Sequence, residues 1–385
     1  MALKQMELSL RKCVAPEFIF GLGARKLAGK YAKNLGSKHL LVVTDLGVMH
    51  FGWVKDVTDE LEKENISYTI FDTVVPNPRD TSVDAGAKLY AHNQCDGILA
   101  IGGGSPLDCA KGIGIVVANG GSILLYEGVD QIRFPLPPLI CIPTTAGTSA
   151  DVSQFAIIND TRRKVKISII SKAIVPDIAL IDPETTLSMD TSLSVFTGLD
   201  ALTHALEAYV SNANSGITDI YALEAIELLM GNLPKVIDNL ENIEARSSVM
   251  MGSLLAGLAF SNASLGVVHA MAHPLGGLLD LPHGLCNAVL LDYAVAYNFP
   301  HASSRYKVIM ERMGLTCKSK TSDTLVKVLI DFKASLGLTS RLGSLGVCEK
   351  VIPALSTMAL KDACIVTNPK LPIQAEVEEL YANAL

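Results

Sequence analysis

The 385-residue chain is 49% apolar and only 18% charged, with a mean hydropathy of +0.34, which is ample apolar material for two domain cores. A net charge of −7 and the lack of any basic run of five or more residues argue against a nucleic-acid partner. Eight cysteines without a C-x-x-C pair, and an opening MALKQMELSLRK without the apolar core of a signal peptide, point to a reducing, cytoplasmic setting.

Through about residue 185 the chain alternates. Apolar runs at Leu40–Thr44, Tyr68–Phe71, Ile98–Ile101 and Leu139–Ile142 are separated by stretches of helical spacing. That order predicts a parallel sheet with helices on both faces, a dinucleotide-binding type of domain over residues 1–185. Asp45 closes the first run; an acid there accepts from a ribose 2′-hydroxyl and repels a 2′-phosphate, favouring NAD over NADP. The competing reading is a simple turn, Asp45-Leu46-Gly47. Gly102-Gly103-Gly104-Ser105 follows the third run, and a helix over Pro106–Val117 opens at once, so free N–H groups and a positive dipole end face any diphosphate. Asp108 in that helix joins the loop as a cofactor-binding candidate. A second loop, Thr144-Thr145-Ala146-Gly147-Thr148-Ser149, offers hydroxyls from Thr144, Thr145 and Thr148 to phosphate or ribose. Val152–Asn159 and Lys164–Ile170 flank a polar turn at Asp160-Thr161-Arg162-Arg163 and read as a hairpin.

After Ile181-Asp182-Pro183 strand-like runs nearly vanish. Segments at 192–212, 217–231, 244–261 and 265–279, rich in Ala, Leu and Met, predict an all-helical domain over residues 186–385. Between Arg246 and Asp280 there is no charged residue, but Ser253, Asn262, His269 and His273 interrupt the stretch. A buried helix pair fits it better than a membrane span. Asp200 and His204 stand at i and i+4 on one helix face, as do His269 and His273, and His283 follows in Leu281-Pro282-His283-Gly284. One carboxylate with three imidazoles suits Fe(II), Zn(II), Co(II) or Ni(II), not Mg(II) or Ca(II). The bland alternative, satisfied core histidines, suits any one of them better than all together.

The strings GGGSPLDCAKG, TTAGTSAD, GLDALTHALEAYVS, LGVVHAMAHPLGG, LPHG and DACIVTNP occur in that order from about residue 13 to the C-terminus. In them the chain resembles the iron-containing alcohol dehydrogenase family. The resemblance implies a Rossmann-type α/β N-terminal domain and an all-α C-terminal domain, a dehydroquinate synthase-like architecture with the site in the cleft between. It implies a metal at Asp200, His204, His269 and His283, and His273 close to the nicotinamide, the candidate proton relay. It implies cofactor contacts at Asp45, Gly103, Gly104, Ser105, Thr144, Thr145 and Lys166. Phe260 matches a pocket wall, and Phe155 falls where several relatives carry a smaller or polar residue.

The expected activity is therefore hydride transfer between NAD(H) and a small primary alcohol or diol, with the corresponding aldehyde as product, assisted by Fe2+ or, as the alternative, Zn2+. The high apolar fraction suggests a homodimer or larger homo-oligomer. Competing readings are a zinc-dependent glycerol dehydrogenase-like enzyme or dehydroquinate synthase-like lyase of the same fold, a metallohydrolase, and a non-catalytic assembly protein. The hydrolase would have no use for two phosphate-type loops and Asp45.

Overall fold

A computed structural model describes residues 10–315 and 320–385. Most of the opening segment read for a signal peptide, and Cys317, lie outside them. The first half runs β1 (Glu17–Phe20), α1 (Ala28–Asn34), β2 (His39–Val43), α2 (Leu46–His50), α3 (Trp53–Lys63), β3 (Ser67–Phe71), α4 (Asp80–His92), β4 (Gly97–Gly102) and α5 (Gly104–Asn119). It continues with β5 (Gly128–Val129), β6 (Leu139–Pro143), β7 (Phe155–Asp160), β8 (Val165–Ile170) and β9 (Ile178–Ile181). The helical half comprises α6 (Thr191–Val210), α7 (Gly216–Asp238), α8 (Ile243–Ala263), α9 (Val267–Leu279) and α10 (His283–Asn298). After it come α11 (Ser303–Arg312), α12 (Ser322–Ser335), α13 (Ile352–Ala359) and α14 (Gln374–Ala384).

Six strands form one parallel sheet in the order β1-β9-β6-β4-β2-β3. Its central strand β4, sequence GILAIG, is buried along its whole length, which is why it reads as a continuous apolar run: both faces are covered by helices. From β2 the chain builds outward to β3, then returns to place β4 on the other side of β2. Ligands of such sheets gather at this reversal, outside the strand carboxyl ends. The loops after β2, β4 and β6 open there. The expected hairpin forms as β7 and β8, antiparallel with Phe155 opposite Ile170, and with β5 it makes a separate three-stranded sheet in the order β5-β8-β7.

The helical half packs around one apolar core to which α6, α8, α9 and α10 all contribute. Side-chain caps start its helices where the sequence supplies them: Asp190 Oδ1 accepts from Leu193 N on α6, Ser215 forms a capping box on α7, and Asn242 caps α8. The uncharged stretch becomes α8 and α9, bent by 100° to each other. No single helix among the described residues is long and apolar enough to cross a membrane. The break falls at Ser264–Gly266. A Cβ on Gly266 would stand 2.9 Å from Glu207 Oε1 and 2.7 Å from Asn368 Oδ1, so glycine there lets two side chains reach the first turn of α9.

Candidate active site

One cleft of about 990 Å3 runs between the sheet's carboxyl edge and helices α6, α8, α9 and α10. Its floor in the helical half is built from residues distant in sequence. Asp200 and His204 lie one turn apart on α6, with Asp200 Oδ1 3.8 Å from His204 Nε2. His269 Nε2, from α9, stands 3.7 Å from the same oxygen, and His283 Nε2, at the first residue of α10, 3.8 Å. Asp200, His204 and His269 are buried, and His283 is part-exposed toward the cleft. The ligand atoms of Asp200, His269 and His283 lie within 4.8 Å of one another. One carboxylate oxygen thus has three imidazole nitrogens within 3.8 Å of it, a donor set that fits a borderline transition-metal ion.

Around this cluster stand partners that orient it. His269 Nδ1 donates to Glu207 Oε2 at 2.5 Å, and Val268 N donates to Glu207 Oε1 at 2.7 Å. This fixes the His269 ring with Nε2 toward Asp200, the carboxylate–histidine arrangement that supports a metal ligand. Asn287 Nδ2 donates to Asp200 Oδ1 at 2.6 Å and lies 2.9 Å from His269 Nε2 and 3.2 Å from His283 Nε2. Burial would raise Asp200, yet His204, His283 and His269 hold it well below the ordinary carboxylate range. Burial pushes His204 down to about 4 and His283 well below its ordinary value. Burial also opposes charge on His269, but Asp200 and Glu207 outweigh it and raise that imidazole to about 9.

His273 also lines the cleft, one turn beyond His269, its ring stacked on His283 at 5.3 Å. Its Nδ1 donates to Asp362 Oδ2 at 2.7 Å, and Asp362 Oδ1 accepts from Cys364 N at 2.8 Å. Phe155 and Phe260 form one wall: their rings meet edge to face at 5.6 Å, and Phe260 stacks on His204 at 4.3 Å. Leu193, Phe196, Leu265 and Cys364 continue an apolar lining.

At the sheet end, Asp45, Gly103, Gly104, Ser105, Thr144, Thr145, Thr148 and Lys166 line the same cleft. The N-terminus of α5 has no side-chain cap, so its first N–H groups remain for an anion. The structure adds detail to four of the expected cofactor residues. Gly102 does not line the cleft. It ends β4 at φ +152°, where a Cβ would stand 2.6 Å from Pro106 Cγ, so it makes the turn while Gly103 and Gly104 face the opening. Asp45 is both a cleft residue and a turn residue, because its Oδ1 accepts from Val48 N at 2.9 Å and caps α2. Ser105 Oγ is already engaged, accepting from Asn77 N at 3.2 Å. Asp108 lines the cleft too, and its Oδ2 accepts from Ile157 N at 3.2 Å, so it also braces the neighbouring strand; burial pushes its carboxyl up to about 6. Lys166 is half-buried on β8, its amine lowered by burial despite the acidic groups around it.

Glu207, Asn287 and Asp362 were not singled out from the sequence. Glu207 follows His204 by three residues and Asn287 follows His283 by four, so helical periodicity carried a signal for both. Asp362 reaches His273 from 89 residues away, beyond helical periodicity, and its one signal was its place at the head of the DACIVTNP string.

Known proteins share this arrangement of chain. The iron-containing alcohol dehydrogenase family matches residues 15–183, and the Fe-containing alcohol dehydrogenase family C-terminal domain matches residues 194–385. Alcohol dehydrogenase 4 of Schizosaccharomyces pombe is 42% identical over 373 residues, 96% of this chain and 88% of that one. The NAD-dependent methanol dehydrogenase of Bacillus methanolicus is 35% identical over 376 residues, 97% of this chain and 99% of that one. The crystal structure of a 1,3-propanediol oxidoreductase superposes with a TM-score of 0.95 at 38% identity, covering 98% of this chain and 100% of that one. Matches of this extent in both halves place the protein in the iron-containing alcohol dehydrogenase family.

Proposed function

We propose that the cleft performs reversible hydride transfer between NAD(H) and a small primary alcohol or diol, with one Fe2+ held by Asp200, His204, His269 and His283. The observation that supports this most is the approach of three Nε2 atoms to Asp200 Oδ1 at 3.7–3.8 Å, on the floor of the cleft that Asp45 and the α5 N-terminus enter from the other end. NAD is preferred because a carboxylate at Asp45 would repel a 2′-phosphate, and because a relative of 35% identity is named for NAD dependence. Iron is preferred over zinc on the family match, since this donor set accepts either.

When bound, the cation supplies Lewis acidity toward the alcohol oxygen and the nicotinamide supplies the hydride acceptor. The chain's own residues do the rest. A single carboxylate among three neutral imidazoles leaves a loaded cluster net positive, which favours an oxygen that is losing its proton. Asp362 holds the Nδ1 proton of His273, which leaves Nε2 as the nitrogen able to take a proton on its way from the alcohol to solvent. Phe155, Phe260 and Leu265 keep water from the reacting carbon. On this reading residues 1–185 bind the dinucleotide and residues 186–385 bind metal and substrate. The described cysteines are all free, which suits a cytoplasmic enzyme. The edge strand β1 carries Phe18, 41% exposed, which suits a homo-oligomer.

The test is direct. Anaerobic protein loaded with Fe(II) should form NADH from NAD with ethanol or 1,3-propanediol, and His269→Ala should lose both turnover and bound iron. Full turnover by a metal-free His269→Ala protein would overturn the assignment.

A further inference from the structure

On its outer edge, the strand that carries Phe155 is held by a helix and not by another strand. β7 is an edge strand, and its inner edge is taken by β8. Alternate residues of a strand turn their backbone groups to the same edge. The outer edge of the segment 153–159 therefore presents the carbonyls of Ser153 and Phe155 and the N–H groups of Ile157 and Asn159. Side chains of α5 take most of them. Lys111 Nζ donates to Ser153 O at 2.8 Å and to Phe155 O at 2.7 Å. Ile157 N donates to Asp108 Oδ2 at 3.2 Å, and Asn159 N donates to Pro78 O at 2.8 Å. Asp108 and Lys111, at i and i+3 on one helix face, continue the ladder that a missing strand would have supplied.

Lys111 is fully buried. An ammonium group persists in such a place only when its hydrogens are accepted. An apolar side chain would fill the space at less cost, so what the position gains is its donors. What those donors fix is the backbone on both sides of Gln154, and with it the Phe155 ring. That ring is 7% exposed, lines the cleft, and leans edge-on against Phe260, which in turn stacks on His204.

We infer that Lys111 is a positioning residue for substrate selection: through the carbonyls of Ser153 and Phe155 it sets the Phe155 ring as the wall that limits the length of alcohol accepted beside His204. The inference rests on the alcohol oxidoreductase reading above. A wall held by two hydrogen bonds from a single buried side chain moves when that side chain loses its donors. A wall held by general packing does not.

The experiment compares kcat/KM for 1-hexanol and for ethanol in the iron-loaded, full-length enzyme. Lys111→Met keeps an unbranched side chain, one atom shorter, and removes the donors. It is expected to raise the hexanol-to-ethanol ratio by about tenfold, the scale on which a pocket discriminates methylene groups. Phe155→Ala is expected to shift the ratio the same way, and the double variant to shift it no further than Phe155→Ala alone, because both act on one wall. A ratio within about twofold of wild type in Lys111→Met, or full additivity with Phe155→Ala, overturns the inference. Should Lys111→Met not fold, Lys111→Gln, whose side chain is one bond shorter and cannot span to both carbonyls, decides alone: a rise in the ratio supports the clamp and an unchanged ratio overturns it. Wild-type protein that turns over no alcohol with either dinucleotide would instead remove the functional reading on which the clamp rests.

Discussion

Glu207 and His269 share a buried hydrogen bond of 2.5 Å, and the same carboxylate accepts the N–H of Val268 in the first turn of α9. One side chain from α6 therefore both starts the helix that carries His269 and decides which ring nitrogen faces Asp200. Glu207→Gln can still accept from Val268 but no longer holds the Nδ1 proton with a charge. Its iron affinity, measured by competition against a chelator, is expected to fall about 10- to 100-fold. Unchanged affinity would show that the bond orients nothing the metal needs.

Asp45 caps α2 and faces the cleft at once. Glycine at a helix N-cap costs only a few tenths of a kcal/mol relative to aspartate, so Asp45→Gly separates the two roles. The preference for NAD over NADP, read as a ratio of kcat/KM values, is expected to fall about tenfold with the removal of the repelling charge. The thermal midpoint should barely move. An unchanged ratio removes Asp45 from the cofactor site.

Asp362 acts on His273 through one hydrogen bond of 2.7 Å. Burial raises its carboxyl, but the neighbouring His273 and the Cys364 groups hold it below the usual range, so it is an anion at neutral pH. Asp362→Asn leaves an amide that can present its NH2 to the ring and reverse the tautomer. A drop in kcat of about 10- to 100-fold is expected, with iron content unchanged, since His273 lies outside the proposed ligand set. Loss of iron in that variant would mean that His273 belongs to the set.

The hairpin turn offers a pH test of stability away from the site. Burial raises Asp160, but Arg163 and the N–H groups of Arg163 and Arg162 outweigh it, and the carboxyl lies below its ordinary 3.8. A lowered carboxyl contributes stability above its unfolded value and loses that contribution as pH falls through its folded value. Asp160→Asn should therefore lower the urea unfolding free energy near neutral pH, by about 1 kcal/mol given the half-exposed Arg163. The gap to wild type should close as pH falls below the ordinary carboxylate range. A gap that persists in acid would assign the effect to packing.

Much of this was legible in the chain itself, for physical reasons that differ by element. β4 is readable because both its faces are buried, so nothing polar interrupts GILAIG. Asp200 and His204 are readable because a helix brings i and i+4 together, and the same rule would have found Glu207 and Asn287 had it been carried one step further. Asp45 reads correctly as the end of a strand, while its capping bond depends on the local turn. The roles of Lys111 and Asp362 were out of reach. Their partners lie 42, 44 and 89 residues away, and only packing of α5 on β7, and of the segment after α13 on α9, brings them together.

The most direct measurement is anomalous diffraction at the iron edge from crystals of the full-length protein grown anaerobically with Fe(II) and NAD. The account expects one strong peak within coordination distance of Asp200 Oδ1 and the Nε2 atoms of His204, His269 and His283, with the nicotinamide beside it. Iron bound elsewhere, or an active crystal form in which those four side chains hold no metal, would contradict it.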